Sequence, residues 1–413
     1  MQSLYQPTDR LYLWLLTRPS EPVLVGELKL VRTTQGVSLE YAPDWLQRGF
    51  PLSEDLPLAS GEFLPKEKAT AAGAVDDARP DRWGERVIRF IVRPPRLSLL
   101  EYLYFAGHDR FGALGVSTLE REYRPHVVGP LPKLEDSEQI YELIQRVQAN
   151  EPVPPALRRL ISPGASMGGA RPKALLDIDG EEWVIKFSDG DPADTPLVEH
   201  ATMTLAHKAG IRVAATRPVR LTHGHAVAVK RFDRPQRRLR QHCLSASVAL
   251  RAASDRFGYP ELAQLLRRRA VASTSAAQMR ELFRRMVFNI LIDNTDDHEK
   301  NHALLVTDAQ RYELSPAYDV LPSGQGLGFQ QMRVGEQEAD ATLANALSMA
   351  NLFGLSRRDA PQHVSEVARV VDGWREHFAQ CGVTRGDIEL YAQQIDRPFL
   401  LDQRREAVAR PAR

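Results

Sequence analysis

Cysteine is almost missing from this sequence: two in 413 residues, Cys243 and Cys381, far apart in the chain. So few thiols at that separation exclude a disulfide framework and a cysteine-rich metal cluster, and a reducing compartment is the expected home. Long apolar runs are missing too. The longest apolar cluster near the start, residues 11–16, has no basic region before it and is followed by Thr17-Arg18-Pro19. A signal peptide needs a longer apolar stretch with a small-residue cleavage site, and a membrane span needs about 20 apolar residues. The expectation is a soluble, cytoplasmic protein. Neither sign of charge is in excess, with 54 basic against 53 acidic side chains and a formal charge of +1. A protein whose main task is to coat nucleic acid or an anionic membrane carries a basic surplus, so that class is excluded, although a local basic patch is not. Lysine is scarce as well. Only nine of the 54 basic residues are lysine (29, 66, 68, 133, 173, 186, 208, 230 and 300). Arginine is expected to cover the surface, and each lysine becomes a candidate for a role that a guanidinium does not fill.

What is present points to an ordinary globular chain. Hydrophobic residues make up 43% and charged residues 26%, enough core for two or three domains and unlike disordered, collagenous or coiled-coil sequences. Residues 11–16, 23–30 and 37–41 read as short strands separated by turns. A helix is expected over 81–92 and another over 137–147. Proline-rich Glu151-Pro152-Val153-Pro154-Pro155 marks a boundary. Strands follow at 173–178 and 182–187 across Asp179-Gly180, a strong hairpin signal. A helix over 196–209 and strands over 216–221 and 226–232 come next. Residues 279–291 place Met279, Leu282, Phe283, Met286, Val287, Ile290 and Leu291 at helical spacing, which predicts a core-facing amphipathic helix. Further helices are expected over 341–353, 364–378 and 385–394. The division predicted from this order is a subdomain over 1–150, a β-rich lobe over 151–233 and a helical lobe over 234–413.

The chemistry concentrates directly after the 279–291 helix. Asn294-Thr295-Asp296-Asp297-His298-Glu299-Lys300-Asn301 is a polar loop held between an apolar helix and an apolar strand at 303–306, a setting in which reactive groups are held rigidly. Asp296 and Asn301 stand at the Asp-x-x-x-x-Asn spacing of a kinase catalytic loop, in which the Asp takes the proton of the attacking hydroxyl and the Asn binds Mg²⁺. A second short hairpin (303–306 and 312–314) leads to Tyr318-Asp319, where a kinase carries its other metal-binding Asp. Hard oxygen ligands suit Mg²⁺. Upstream, Ser166-Met167-Gly168-Gly169-Ala170-Arg171-Pro172-Lys173 is a small-residue loop opening a strand, and converging backbone N–H groups in such a loop cradle phosphate. It is not a P-loop, because Lys173 is followed by a strand rather than a helix. Lys186 is a single lysine in an apolar strand, the setting of the lysine that pairs with nucleotide phosphates; Glu199 on the next helix is a candidate ion-pair partner. Lys230-Arg231-Phe232 ends the last strand before the helical half, where a hinge would contact adenine.

These motifs resemble the HipA family, kinase toxins of bacterial type II toxin–antitoxin modules. The resemblance extends to Asp76-Asp77-Ala78-Arg79-Pro80-Asp81-Arg82-Trp83-Gly84 and to Gly107-His108-Asp109-Arg110-Phe111-Gly112, which are similar to that family's amino-terminal subdomain. It implies an α+β, two-lobed protein-kinase-like fold with a β-rich amino-terminal subdomain and a mostly helical C-terminal lobe. It implies Asp296 as catalytic base, Asn301 and Asp319 as Mg²⁺ ligands, and Lys186 with Gly168, Gly169, Ala170, Arg171, Pro172 and Lys173 around the ATP phosphates. His298, Lys300 and Tyr318 join the nucleotide set with Lys230, Arg231 and Phe232. Ser166 matches the family's autophosphorylated serine, whose modification ejects the loop and silences the kinase. The implied partners are a small helix-turn-helix antitoxin of HipB type, DNA reached only through that antitoxin, and a host protein substrate, an aminoacyl-tRNA synthetase in family members. Two alternatives stay open: a small-molecule kinase, and an inactive nucleotide-binding partner of a DNA-bound antitoxin.

Overall fold

The computed structural model describes residues 5–127, 129–164, 169, 171–236, 239–323 and 325–409. The chain forms two compact units that interleave along the sequence. The first comprises Met1–Lys186, Lys230–Ala253 and Leu305–Gln310, and the second Phe187–Val229, Ser254–Leu304 and Arg311–Arg413.

The first unit is built on a five-stranded antiparallel sheet. Glu62–Phe63, Gly36–Tyr41, Val23–Val31, Arg10–Leu15 and Leu114–Ser117 are neighbours in that order. Alternation puts Leu11, Leu13, Val25, Val37, Leu39 and Val116 in the core, all fully buried. A bulge between Leu13 and Trp14 shifts the register beside Gly26. A Cβ at Gly26 would stand 2.1 Å from the Glu40 carbonyl oxygen, so only glycine allows the strands this approach. The expected helix at 81–92 starts on Asp81, whose carboxylate accepts the Gly84 N–H at 2.9 Å. It widens to a π-turn over Ile88–Val92 and ends at Arg93 in the left-handed region (φ 51°). The Lys173–Ile178 and Glu181–Lys186 hairpin turns through Asp179 and Gly180, both at positive φ, as the sequence pair demands.

Arginine does not merely cover the surface, contrary to the compositional expectation. Asp233, with no solvent exposure, accepts from Arg231 Nε (3.0 Å) and Nη2 (2.8 Å), from Arg234 Nη1 (2.9 Å) and from the Gly112 N–H (2.7 Å). Arg231 also donates to the Asp109 and Arg110 carbonyls, and buried Arg110 donates to those of Gly107 and Ala78. The 107–112 loop and the 231–234 segment are therefore clamped by guanidinium forks, whose flat five-donor geometry suits carbonyls and carboxylates in a way that lysine does not. Burial alone would raise the Asp233 pKa; the two guanidiniums and the Gly112 amide hold it well below the usual carboxylate range.

The second unit is mostly helical. The predicted amphipathic helix is Ala272–Leu291, and Leu282, Phe283, Met286, Val287, Ile290 and Leu291 are buried to within 1% exposure. It packs against Tyr259–Arg269 and Asp359–Asp372. Each such side chain contributes about 1.5–3 kcal/mol through apolar burial. Around it lie Thr195–Lys208, the Thr216–Arg220 and His225–Lys230 hairpin, Arg385–Ile395 and Pro398–Ala409. Two expected helices are interrupted. The 341–353 segment is Leu343–Ser348 followed by a tight turn Ala350–Phe353, and the 364–378 segment breaks at Gly373, between Asp359–Asp372 and Trp374–Gln380. Helices Leu99–Phe105, Tyr259–Arg269 and Pro398–Ala409 were not expected: the first is too short to show a period, and the second ends in three arginines that read as a solvated run. Among the described residues no helix is long and apolar enough to cross a membrane.

Candidate active site

The Asp-x-x-x-x-Asn loop is fixed by the end of the central helix. Ile292 closes that helix, and Asp293 turns the chain at φ 58°. The Asn294 N–H then returns to the Asn289 carbonyl at 2.9 Å. Asp293 is tied to Arg397 at 2.9 Å, and Thr295 and Ser323 share a hydroxyl hydrogen bond at 2.6 Å. Pinned on both sides, the loop sends its two consecutive aspartates in opposite directions.

Asp297 points inward and is 1% exposed. It accepts from the Tyr259 hydroxyl and from His302 Nε2 at 2.8 Å. Tyr259 in turn accepts from Asn289 Nδ2 (3.2 Å), whose Oδ1 accepts from Asn294 Nδ2 (3.1 Å). Burial would raise the Asp297 pKa, but His302 and the Tyr259 hydroxyl hold it below the ordinary value. Burial, with the Asp297 charge beside it, pushes the Tyr259 phenol well up. Asp296 is exposed, and its Oδ1 accepts from Gln331 Nε2 at 2.8 Å. Only the exposed aspartate is placed to meet a hydroxyl from solvent.

The rest of the motif lies in the same unit. His298 Nδ1 accepts the Lys300 N–H at 3.2 Å, and a short turn over Glu299–Asn301 brings Asn301 into the interior at 4% exposure. Tyr318 is buried, and its hydroxyl donates to the Lys300 carbonyl at 2.8 Å, joining the loop to the Asp319 segment. Asp319 is 7% exposed and adopts φ 59°, a left-handed conformation that costs a non-glycine residue energy. Asn301 Oδ1 is buried without a hydrogen-bond partner. A cavity of about 10 Å³ is lined by Arg285, Asn289, Asp297, Asn301, His302 and Tyr318. The buried Asn301 amide oxygen without a hydrogen-bond partner and the Asp319 carboxylate are hard-oxygen donors of the kind that Mg²⁺ takes.

The first unit carries the remaining candidates except Glu199, which lies in the second. Ser166, Gly168 and Ala170 lie outside the described residues. Gly169 accepts from Lys173 Nζ through its carbonyl at 2.5 Å, and the same ammonium pairs with Asp81. Lys173 is fully buried, and its carbonyl accepts from Trp83 Nε1 at 2.9 Å. Its visible work is to anchor the loop end to the Asp81-Trp83 motif. Pro172 beside it is buried and Arg171 half-buried. Lys186 is 2% exposed and sits directly opposite Lys173 in the hairpin register, so both lysines project from one face of the ribbon. That burial keeps the Lys186 side chain out of bulk water. Lys230 pairs with Glu181 at 2.6 Å. Phe232 meets Phe111 edge to face at 6.1 Å. Since the Arg231 guanidinium is taken up by the Asp233 network, what Arg231 offers a ligand is confined to its backbone. Glu199 is 2% exposed within Thr195–Lys208.

Tyr259, Asn289, His302 and Gln331 were not among the candidates from sequence. His302 carried a signal, since it follows Asn301 directly; the others lie outside the motif.

Comparison with known proteins defines the class first: the fold is protein-kinase-like in its HipA form, with a β-rich amino-terminal part and a mostly helical C-terminal part. Across 96% of this chain and 97% of the other, it superposes with a TM-score of 0.66 on a chain of the Shewanella oneidensis MR-1 toxin–antitoxin complex of HipA, HipB and operator DNA, at 20% identity. The family model for the HipA-like C-terminal domain matches residues 165–374, and that for the HipA N-terminal domain matches 21–117. The chain belongs to the HipA family. Among its relatives, the serine/threonine-protein kinase toxin HipA of Shewanella oneidensis is 24% identical over 388 residues, covering 84% of this chain and 85% of that protein. Putative kinase Y4dM of Sinorhizobium fredii is 32% identical over 161 residues, 34% of this chain and 37% of that protein.

Proposed function

We propose that this protein is an ATP- and Mg²⁺-dependent serine/threonine protein kinase that acts in the cytoplasm as the toxin of a HipA/HipB-type pair. The observation that carries the reading is the opposed placement of Asp296 and Asp297: one carboxylate faces solvent while its neighbour is locked into the interior and holds the loop still. Asp296 accepts the proton of the acceptor hydroxyl as that oxygen bonds to the γ-phosphorus and the bond from phosphorus to the β–γ bridging oxygen breaks. Asn301 and Asp319 would hold Mg²⁺, which supplies charge neutralisation at the phosphoryl oxygens. Lys186 and the 168–173 loop contact the phosphates, with Lys173 fixing the loop through Asp81. Nucleotide contacts are also assigned to His298, Lys300 and Tyr318 in the second unit and to the 230–232 segment in the first. Little covalent work falls to the protein in phosphoryl transfer, so the rate comes from positioning and charge, which a rigid loop supplies.

Autophosphorylation is assigned to Ser166. About two added negative charges in a loop built to receive phosphate disfavour nucleotide binding. The partner is a HipB-type helix-turn-helix antitoxin, as in the Shewanella complex, with DNA reached through it; the near-neutral charge of this chain is consistent with an indirect route. The substrate is a host protein, with aminoacyl-tRNA synthetases the first to test. Purified protein is incubated with [γ-³²P]ATP and Mg²⁺ and then with a cell extract. Labelling of protein by wild type, lost in Asp296→Asn and Asp319→Asn, is expected. Equal labelling by all three sinks the mechanism, and label found only in small molecules sinks the protein-kinase assignment.

A further inference from the structure

Three side chains that line the small cavity beside the Asp296–Asn301 loop carry polar atoms for which the structure gives no hydrogen-bond partner among the described residues: Arg285 Nε and Nη1, Asn301 Oδ1 and His302 Nδ1. The side chains are 2%, 4% and 2% exposed, so bulk water does not serve them. Arg285 stands on the central Ala272–Leu291 helix, and Asn301 and His302 end the loop. The other Arg285 donor group is taken, since Nη2 pairs with Glu281 and donates to the Ser315 carbonyl at 2.6 Å. His302 donates from Nε2 to Asp297, which leaves Nδ1 an acceptor in the neutral ring. Donors on the helix and acceptors on the loop thus line one cavity without bonding to each other directly. Buried polar groups in native proteins nearly always find a partner, and one molecule that both donates and accepts can serve this whole set.

The volume of the cavity, about 10 Å³, selects that molecule. It is room for a single water and for nothing larger. Chloride, the other small ligand of a guanidinium, needs more space. It would also add negative charge where Glu281 already neutralises Arg285 and where Asp297 forms part of the wall.

We propose that this cavity is a binding site for one water molecule, which accepts from Arg285 and donates to His302 Nδ1 and Asn301 Oδ1 and so ties the central helix to the end of the loop. Three hydrogen bonds are the usual complement of a buried water. An amide oxygen has two lone pairs, so Asn301 keeps one for a metal while it accepts from the water. The water secures His302 through one ring nitrogen while Asp297 secures it through the other. The inference concerns how the loop is held and does not depend on the phosphoryl-transfer reading.

The test is a crystal structure of the full chain at a resolution that orders internal solvent. One density peak is expected in the cavity, about 2.7–3.2 Å from an Arg285 nitrogen and from His302 Nδ1. A cavity without a peak, or an anomalous peak that marks chloride, overturns the inference. So does a direct hydrogen bond from Arg285 to His302 or Asn301 that closes the space. A second measurement is made in solution. Val320 also lines the cavity, and Val320→Ile adds a methyl group that takes the space of the water. Oxygen-17 relaxation dispersion should count one long-lived water fewer in this variant than in wild type, and equal counts in the two folded proteins refute the site. Should Val320→Ile fail to fold by circular dichroism, the wild-type crystal structure alone decides.

Discussion

Two adjacent aspartates of one loop should fail in opposite ways when truncated. Among the described residues Asp297 is the carboxylate acceptor of both the Tyr259 hydroxyl and His302 Nε2, and all three side chains are buried. Asp297→Ala leaves two buried donors without an acceptor, at about 1–3 kcal/mol each, so the loss is about 2–6 kcal/mol. For a unit of this size one kcal/mol corresponds to about 2–4 °C in Tm, which places the drop at about 5–20 °C. Asp296→Ala truncates an exposed side chain and should stay within about 0.5 kcal/mol of wild type, or about 2 °C. Phosphoryl transfer should be lost in Asp296→Ala despite its intact melting curve. In Asp297→Ala, activity should fall along with stability. Thermal unfolding followed by circular dichroism, run beside the ³²P assay on the same preparations, reads both. A double-mutant cycle of Tyr259→Phe and Asp297→Asn should return a coupling of about 0.5–3 kcal/mol, since the two groups share one hydrogen bond. The argument is refuted if Asp297→Ala melts within about 2 °C of wild type, or if Asp296→Ala falls as far as Asp297→Ala.

Asp233→Asn removes the fully buried one of the two carboxylates, Asp233 and Glu182, that meet the Arg231 and Arg234 guanidiniums, and should cost at most about 3–5 kcal/mol in urea unfolding; a loss below about 1 kcal/mol would mean that solvent reaches the network. The same carboxylate predicts an acid limb to stability. Its folded pKa is depressed, so its contribution is complete above the unfolded carboxylate pKa near 4 and is lost as pH falls below that toward the folded value. Asp77 has the opposite sign: burial pushes it up to about 6, against hydrogen bonds from the Ser245 N–H and hydroxyl. Between about pH 4 and 6 the unfolded state ionises first, so stability is lost as pH rises, by about 3 kcal/mol in all. Asp77→Asn should abolish that slope, and a stability difference from wild type that stays flat between pH 4 and 7 contradicts the account. Asp81→Ala removes the carboxylate that pairs with the buried Lys173 ammonium and uncaps the 82–87 helix, and should cost about 3–5 kcal/mol, whereas Lys173→Met with Asp81→Asn together should cost less than Asp81→Ala alone. Chemical denaturation of the three variants checks the order.

The parts of this fold that the sequence announces are those whose cause is local. The Asp179-Gly180 turn needs two left-handed residues and has the pair that tolerates them. The 279–291 helix shows its buried stripe in the spacing of seven apolar residues. The polar loop from Asn294 to Asn301 stands out because apolar elements bracket it. Causes that act across the chain leave no such trace. A kinase spacing names Asp296 over Asp297 by counting, but what turns one outward and the other inward is a tyrosine 38 residues away and a histidine five residues on. Neither is marked by period or composition. Similarly, a count of arginines does not distinguish a guanidinium in water from one wrapped in carbonyls. The distinction lies in which loops come to Arg231 and Arg234, and those loops, 107–112, are more than a hundred residues earlier in the chain. Lysine, by contrast, is scarce enough to follow residue by residue. Lys173 and Lys186 are the two basic residues that the hairpin register sets opposite one another, and both are buried. Two ammonium groups on one face of a ribbon repel unless anions meet them. Asp81 meets the first, and with Trp83 it ties the amino-terminal motif to the start of the hairpin. The ion pair keeps this lysine in the interior, so the start of the hairpin is fixed by contacts within the protein itself.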